Sequence, residues 1–251
     1  MKKIFTTAAV ALFMLSLASC SDDDSSSNNS STENVLVKRA VERDGSDSVT
    51  SIYTYDGKKI KTITYDNGDV DTFTYNGNQI VKATFMTEGE LWLTDTYAYN
   101  SNGQVSEHTT TDTFNVTYQK TTFVYNNDST ISTKVYEGIT EAASELTGTG
   151  VLLVKNGNGT TYTYTATGET TPEITFFTFD DKKNPYKNIT GFAAIELVTL
   201  EGHSPENNIL MHSTPEGVTK YTYVYNDAGY PTSSVETDGD NDSYTTDFYY
   251  E

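Results

Sequence analysis

The sequence predicts an all-β domain, an antiparallel meander of β-hairpins curved strongly enough to form a barrel-like or rolled sheet. Runs rich in Tyr, Thr, Val and Phe recur along the chain, with apolar and polar residues alternating at period two. Clusters of Asn, Asp and Gly separate these runs at intervals of about eight to twelve residues, the spacing of short antiparallel strands. No stretch keeps a helical period, and the longest helix-compatible segments, 140–146 and 191–197, allow about two turns each.

The segment "KYTYVYNDAGYPTSS", residues 220–234, contains the repeating unit of this meander. Side chains of a strand alternate between its two faces, so Tyr221, Tyr223 and Tyr225 share one face and the intervening Thr and Val the other. The letters NDAG that follow tolerate left-handed backbone and bond their own main chain. The segment is therefore a predicted hairpin, with its return strand over 232–237 and its tyrosine face packed.

Copies of this unit occupy much of the chain. The run "IYTYDGKKIKTITYDNGDVDTFTYNGNQIVKATF", residues 52–85, contains three such turns, with Tyr55, Tyr65 and Tyr75 ten residues apart. Looser copies lie at 97–107, 123–132 and 176–186. A sheet of many strands exposes an edge at each end unless it curls or closes, which favours a strongly curved sheet. We expect a thin core with buried Tyr rings, and Thr- and Ser-rich strand faces outside.

The pattern Y-x-Y-[DN]-x-x-G-x-[VI] is complete at 97–105 and nearly complete at 223–230. It resembles the YD repeats of RHS-type surface and toxin-shell proteins. The chain as a whole is similar to surface lipoproteins of Bacteroidetes type that carry degenerate units of this kind. This resemblance implies β-hairpin architecture and no catalytic residue, since those repeats serve as walls.

The N-terminus has the organisation of a lipoprotein signal peptide. Lys2 and Lys3 precede an apolar stretch, 4–17, that is too short to span a bilayer, which needs about 20 apolar residues. The letters LASC that end at Cys20 resemble a lipobox, so residues 1–19 are the predicted signal peptide. By that resemblance Cys20 becomes the first mature residue and carries the lipid that attaches the protein to a membrane.

Residues 20–34 are predicted to form an acidic, Ser/Asn-rich flexible tether. Its first residues after the cysteine resemble the surface-export signal of Bacteroidetes-type lipoproteins: Ser21, Asp22, Asp23 and Asp24. This resemblance implies an outer-membrane lipoprotein exposed on the cell surface, and the alternative is an acidic linker with no sorting role. The rest of the chain, 35–251, has the length of a single β domain.

Composition excludes some partners. The chain has 16 Lys and Arg against 35 Asp and Glu, a formal net charge of −19, and the signal peptide removes two of its lysines. Such a charge repels nucleic acid, so no nucleic-acid partner is expected. The only Cys is Cys20, which leaves no thiol for a disulfide or a Cys-based metal site.

The residues with the potential for chemistry form no coherent catalytic set. His108, His203 and His212 have no metal-ligand spacing, and no Gly-x-Ser-x-Gly nucleophile elbow occurs. His108 lies on a predicted strand and is expected at the surface. We therefore predict neither catalytic residues nor a cofactor.

The aspartates of "TDGDNDS", residues 237–243, alternate as at the start of a calcium loop. Asp238, Asp240 and Asp242 form only a weak calcium candidate, because the glycine at the sixth position and the closing glutamate at the twelfth are missing. A solvated hairpin turn is the favoured interpretation, and no metal site is predicted.

The long segment 180–218 interrupts the hairpin pattern. It is too apolar to be disordered, and long irregular loops in compact domains are often functional. It is predicted to be a plug or cap over an open end of the sheet, and the alternative is that it shapes a binding face. The candidate binding residues of this loop are Tyr186, Phe192, His203, Leu210, Met211 and His212.

A lipid tether, an acidic spacer and an aromatic-rich β domain favour a non-catalytic binding or adhesion module. Such a module would present its aromatic surface to glycans or to proteins, since Tyr supplies contact area at low entropy cost. The alternative is a structural or accessory envelope lipoprotein without a ligand of its own. A hydrolase is disfavoured because no acid, base and nucleophile come together in the sequence.

Overall fold

The computed structural model describes residues 35–199 and 204–251, and these residues form one closed antiparallel barrel. Strands pair in chain order and β1 pairs with β16, which confirms the predicted curved meander. The sixteen strands are β1 (Val37–Asp44), β2 (Asp47–Asp56), β3 (Lys59–Tyr65), β4 (Val70–Asn76), β5 (Gln79–Thr87), β6 (Glu90–Tyr99), β7 (Val105–Asp112), β8 (Thr117–Tyr125), β9 (Thr130–Gly138), β10 (Glu145–Lys155), β11 (Asn158–Ala166), β12 (Glu173–Phe179), β13 (Ile209–Ser213), β14 (Val218–Tyr225), β15 (Pro231–Thr237) and β16 (Ser243–Tyr250).

Helical structure is confined to one α-helix and one short turn in the described residues. A 3-10 turn spans Glu141–Ala143, inside the helix-compatible segment 140–146. Helix α1 spans Phe192–Thr199 and ends two residues beyond the end of the helix-compatible segment 191–197. Neither is long enough to cross a membrane as a helix.

The two ends of the barrel differ. The plug, residues 180–208, connects β12 to β13, and its end of the barrel also holds Val35 and Glu251. We call this end the plug end. We call the opposite end the open end, because its inward-facing residues Gln119, Glu137 and Glu173 are exposed. The predicted insertion, 180–218, is longer than the observed one. Its C-terminal part contains a strand, because Ile209–Ser213 pairs with β12 and β14.

The repeated sequence unit produces a bulged hairpin with a buried aliphatic residue. Tyr75 pairs with Ile80 and Tyr99 with Val105, in each case directly after a register shift. Ile80 and Val105 are fully buried, so the apolar residue after each turn belongs to the core. A bulge bends its strand and increases the local twist, which helps a sheet to close.

Tyrosine side chains line the inside of the barrel, and the exposed faces of the strands are rich in Thr. In β14 the tyrosines are partly buried while Thr222 and Val224 are exposed, as the alternation predicts. Some of the phenol hydroxyls donate to backbone carbonyls on neighbouring strands: Tyr99 donates to Ile80 at 2.6 Å, and Tyr223 donates to Ile209 at 2.8 Å. The aromatic-rich surface of this protein is therefore the inner wall.

The plug fills the barrel at its own end, as the favoured interpretation of the insertion predicts. Ile195 and Val198 of α1 belong to a core cluster with strand residues such as Phe123, and Ile189 belongs to a second cluster with residues from β1 to β3. The backbone of Thr190 donates to the Lys58 carbonyl at 2.9 Å. Both apolar clusters and backbone hydrogen bonds therefore hold the plug in place.

Gly191 lets the plug pass close to the barrel wall. Its φ is +80°, and a Cβ atom there would lie 2.6 Å from the carbonyl oxygen of Asn78. Only glycine satisfies both the left-handed backbone and the close approach. This residue therefore fixes where α1 begins relative to the β4–β5 turn.

Candidate functional site

The inside of the barrel contains a cavity of about 230 Å³ that rests on the last turn of α1. Its wall is the inner face of strands β8 to β13, six of the sixteen strands of the barrel. The lining residues are Thr121, Phe123, Thr133, Leu152, Tyr162, Thr175, Phe177, Val198, Thr199 and His212. Aromatic rings and hydroxyl groups thus face each other across a small space.

Two glycines of β10 give the cavity its shape. A Cβ atom at Gly150 would lie 2.5 Å from the Tyr162 hydroxyl and 2.7 Å from Thr133 Oγ1. A Cβ atom at Gly148 would overlap the ring of Tyr164. Both rings of β11 therefore lie across β10, and the Tyr162 hydroxyl reaches Thr133 Oγ1 on β9 at 3.0 Å. The spacing Gly-Thr-Gly is the sequence signal for this arrangement, and sequence reasoning missed it.

His212 and Phe177 form a flat pair on the β12–β13 side of the cavity. Their ring centroids are 4.8 Å apart and the planes differ by 4°. Burial lowers the pKa of His212 below its ordinary value of 6.5, so the imidazole is neutral at pH 7. A neutral imidazole offers one hydrogen-bond donor and one acceptor.

A second polar cluster lies on the inner face of β6 and β7. His108 Nε2 is 3.1 Å from Asp95 Oδ1, and the Thr110 hydroxyl donates to the same oxygen at 2.7 Å. The His108 ring stacks on Tyr97 with centroids 4.8 Å apart. The prediction that His108 is a surface residue is wrong, because it is 8% exposed. The register shift before Tyr99 leaves Ser106 as an extra residue on β7, so both Val105 and His108 face inward.

Carboxylates also line the inner wall towards the open end. Asp71 accepts a hydrogen bond from the Tyr65 hydroxyl at 2.8 Å, and burial raises the pKa of this carboxyl to about 6. Glu137 and Glu173 flank Tyr164, whose phenol pKa is raised by burial first and by these two carboxylates to a smaller extent. The interior therefore carries negative potential.

Two of the predicted binding residues belong to the packing of the plug. The Tyr186 hydroxyl is 3.3 Å from the Tyr53 hydroxyl, and burial raises the pKa of Tyr186 well above its ordinary value. Phe192 packs against both core clusters. These aromatic residues hold the plug in the barrel and do not line the cavity.

Three of the other predicted binding residues lie on β13, not in a loop, because this part of the chain pairs with two strands. Leu210 is exposed, Met211 pairs with Lys220, and His212 faces the cavity. His212 is therefore the only one of the predicted residues in the described ranges that lines the cavity. His203, Cys20 and the residues of the predicted export signal, Ser21, Asp22, Asp23 and Asp24, lie outside the described residues.

The weak calcium candidate is a hairpin turn between β15 and β16. The Asp238 carboxylate accepts hydrogen bonds from the backbone N–H groups of Asp240 at 3.0 Å and Asp242 at 2.9 Å. This carboxylate therefore serves its own turn, as the favoured interpretation predicts. In residues 35–199 and 204–251, no three His, Cys, Asp or Glu side chains group as metal ligands.

Comparison with known proteins identifies the fold and no family. No family model and no curated protein matches the chain. A crystal structure of a porin-like protein from Bacteroides uniformis has a TM-score of 0.51 at 16% identity, covering 88% of this chain and 98% of that one. A porin-like protein from Bacteroides vulgatus has a TM-score of 0.43 at 10% identity, covering 86% and 99%. At this identity, the likeness to the Bacteroides uniformis protein shows a shared fold.

Proposed function

We propose that this protein is a lipid-anchored envelope protein, displayed at the cell surface, that binds a small ligand or the tip of a larger one inside its barrel. The observation that carries the proposal is the cavity of about 230 Å³ between the plug and the open end. Binding sites are concave, apolar in part, and supplied with a few polar groups. The aromatic and hydroxyl lining of this cavity has that character.

The outer wall is polar on β5 to β7, although exposed apolar residues interrupt it on other strands. Its polar part supports a tethered barrel over one embedded in lipid. A barrel that crosses a membrane carries an apolar outer band about 25 Å tall. Here the outward positions of neighbouring strands include Thr84, Thr94, Thr96 and Thr109, and Lys82 lies among them. Anchoring through a lipid on Cys20 suits such a surface.

The plug supports binding over passage of solutes. The similar protein from Bacteroides uniformis is described as porin-like, and a pore needs a continuous opening. In this chain the core cluster around Ile195 and Val198 occupies the plug end. We therefore favour a receptacle that is closed at one end.

The position of the tether favours access for a ligand. Val35 lies at the plug end, so the tether predicted over 20–34 would join the barrel there. The point of attachment is then away from the open end, which favours access of a ligand to that end.

The test uses the mature chain from residue 20 with Cys20→Ser, labelled with ¹⁵N-histidine. Glycan and peptide libraries are screened for binding, and the His212 side-chain resonances report on the cavity. Thr175→Trp should fill the cavity and abolish binding, whereas Thr222→Trp makes the same change on the outer face and should leave binding intact. Equal binding by both variants would exclude the cavity as the site. If neither library yields a ligand, the accessory envelope role replaces the binding role.

A further inference from the structure

We propose that the cavity takes an organic cation: an ammonium or guanidinium group on an apolar stem, supplied by a free amine or by a basic side chain of another protein. This inference rests on the proposed function, because it names the chemistry of the ligand that the cavity would hold. It is carried by three features of the barrel: the distribution of basic residues, the charges around the open end, and the wall of the cavity.

Basic residues are kept out of the open half of the interior. Of the Lys and Arg residues in the described ranges, one group lies at the plug end: Lys38, Lys58, Lys59, Lys155, Lys182, Lys183 and Lys187. The other group lies on the outer face: Arg39, Arg43, Lys61, Lys82, Lys120, Lys134 and Lys220. Outer partners support this placement, since Arg39 lies over the Tyr249 ring and Arg43 pairs with Asp247 at 2.6 Å.

Acidic residues occupy the region from which the basic ones are missing. Inward positions towards the open end hold Glu42, Asp71, Asp95, Glu137, Glu173 and Glu236. The turns of the open end add further Asp and Glu, and none of these turns contains Lys or Arg. A cleft lined by charge of one sign focuses its field and concentrates ions of the opposite sign. The route to the cavity therefore favours cations and opposes anions.

The cavity wall complements a cation on an apolar stem. Phe123, Tyr162 and Phe177 place three aromatic rings around the space, and a cation is attracted to the face of such rings. The hydroxyls of Thr121 and Thr175 and the neutral imidazole of His212 can accept hydrogen bonds from an N–H donor. Leu152 supplies apolar contact for the stem. Among the described residues, the wall includes no positive group that would oppose such a ligand.

The test measures how tightly the mature Cys20→Ser chain binds three probes of matched size: butylammonium, butanol and butyrate. The readouts are the His212 side-chain shifts and calorimetric titration. We expect butylammonium to bind at least tenfold more tightly than butanol, butyrate to leave His212 unmoved, and added salt to weaken the binding of butylammonium. Acetyl-lysine methylamide, compared with acetyl-norleucine methylamide, tests a basic side chain as the source of the cation.

An inner variant and an outer variant locate the effect. Glu137→Gln combined with Glu173→Gln removes inner carboxylates and should weaken the binding of butylammonium at least fivefold. Glu107→Gln removes an outward carboxylate, on a residue that pairs with Thr122. It should leave the binding of butylammonium unchanged.

Two results would separate this inference from the proposed function. Equal affinity for butanol and butylammonium, or a neutral glycan that moves His212 where butylammonium does not, would overturn the inference and leave the binding function standing. If no probe and no library member binds, both the inference and the proposed binding function are overturned.

Discussion

The Tyr162 hydroxyl occupies the space that a side chain at Gly150 would need. A Cβ atom at residue 150 would lie 2.5 Å from that oxygen, and the hydroxyl is itself 3.0 Å from Thr133 Oγ1. The missing side chain on β10 therefore sets the position of a ring that lines the cavity. Three neighbouring strands meet at this point, so a change at Gly150 should affect both stability and cavity shape.

We expect Gly150→Ala to lower the free energy of unfolding by about 1–3 kcal/mol, because the added methyl group overpacks the inner wall. Gly217→Ala is the control, since nothing lies within 4 Å of a Cβ atom there. It should change stability by no more than about 0.5 kcal/mol. Denaturant melts of both variants measure the difference, and a Gly150→Ala protein that melts like Gly217→Ala would mean that the wall yields without strain.

Tyr223 should contribute to stability through both its ring and its hydroxyl. Tyr223→Ala removes an inward ring and should cost about 3 kcal/mol, whereas Tyr223→Phe removes the bond to the Ile209 carbonyl and should cost about 1 kcal/mol. Thr222→Ala on the outer face should cost less than about 0.5 kcal/mol. Paired urea melts rank the three variants. Our assignment of the tyrosine face fails if Tyr223→Ala and Thr222→Ala melt alike.

Asp71 should make stability depend on pH in a defined direction. Burial raises the pKa of this carboxyl to about 6 from its ordinary value of 3.8, so the folded protein holds the proton more tightly than the unfolded chain. Stability from this group is thus greatest below pH 3.8 and falls as pH rises to about 6, by about 3 kcal/mol in total. Asp71→Asn keeps an acceptor for Tyr65 and should lack this dependence. Urea melts from pH 4.5 to pH 8 give the difference in the free energy of unfolding between wild type and variant. A difference that stays constant over this range would contradict the predicted contribution of Asp71.

The predicted lipid anchor lies outside the described residues and is testable in cells. Cys20→Ser should abolish fatty-acid labelling and release the protein from the membrane fraction. Changing Asp22, Asp23 and Asp24 to Ala should reduce exposure to external protease while leaving labelling unchanged. Continued labelling of Cys20→Ser would refute the lipobox, and unchanged protease access in the triple variant would leave the aspartates as linker.

The misassignments from sequence have local physical causes. A bulge adds one residue to a strand, so residues after it change faces, and this turned His108 from a predicted surface residue into a buried one. The end of the insertion was placed too late because strand β13 has only five residues, too few for a clear alternation. The role of Gly148 and Gly150 was missed because the rings that need their space come from another strand.

The sequence by itself determined the architecture of hairpins, the inward tyrosine faces and the presence of a plug. These follow from alternation along a strand, from turn residues and from the apolar content of one long segment, all of which act between near neighbours in the chain. Only the tertiary structure decided that β1 pairs with β16, that the interior is open at one end, and that Phe177, His212 and Tyr162 enclose a cavity on α1. These relations join residues that are distant in the chain. They depend on strand register and on closure of the sheet, which each hairpin specifies only for its own two strands.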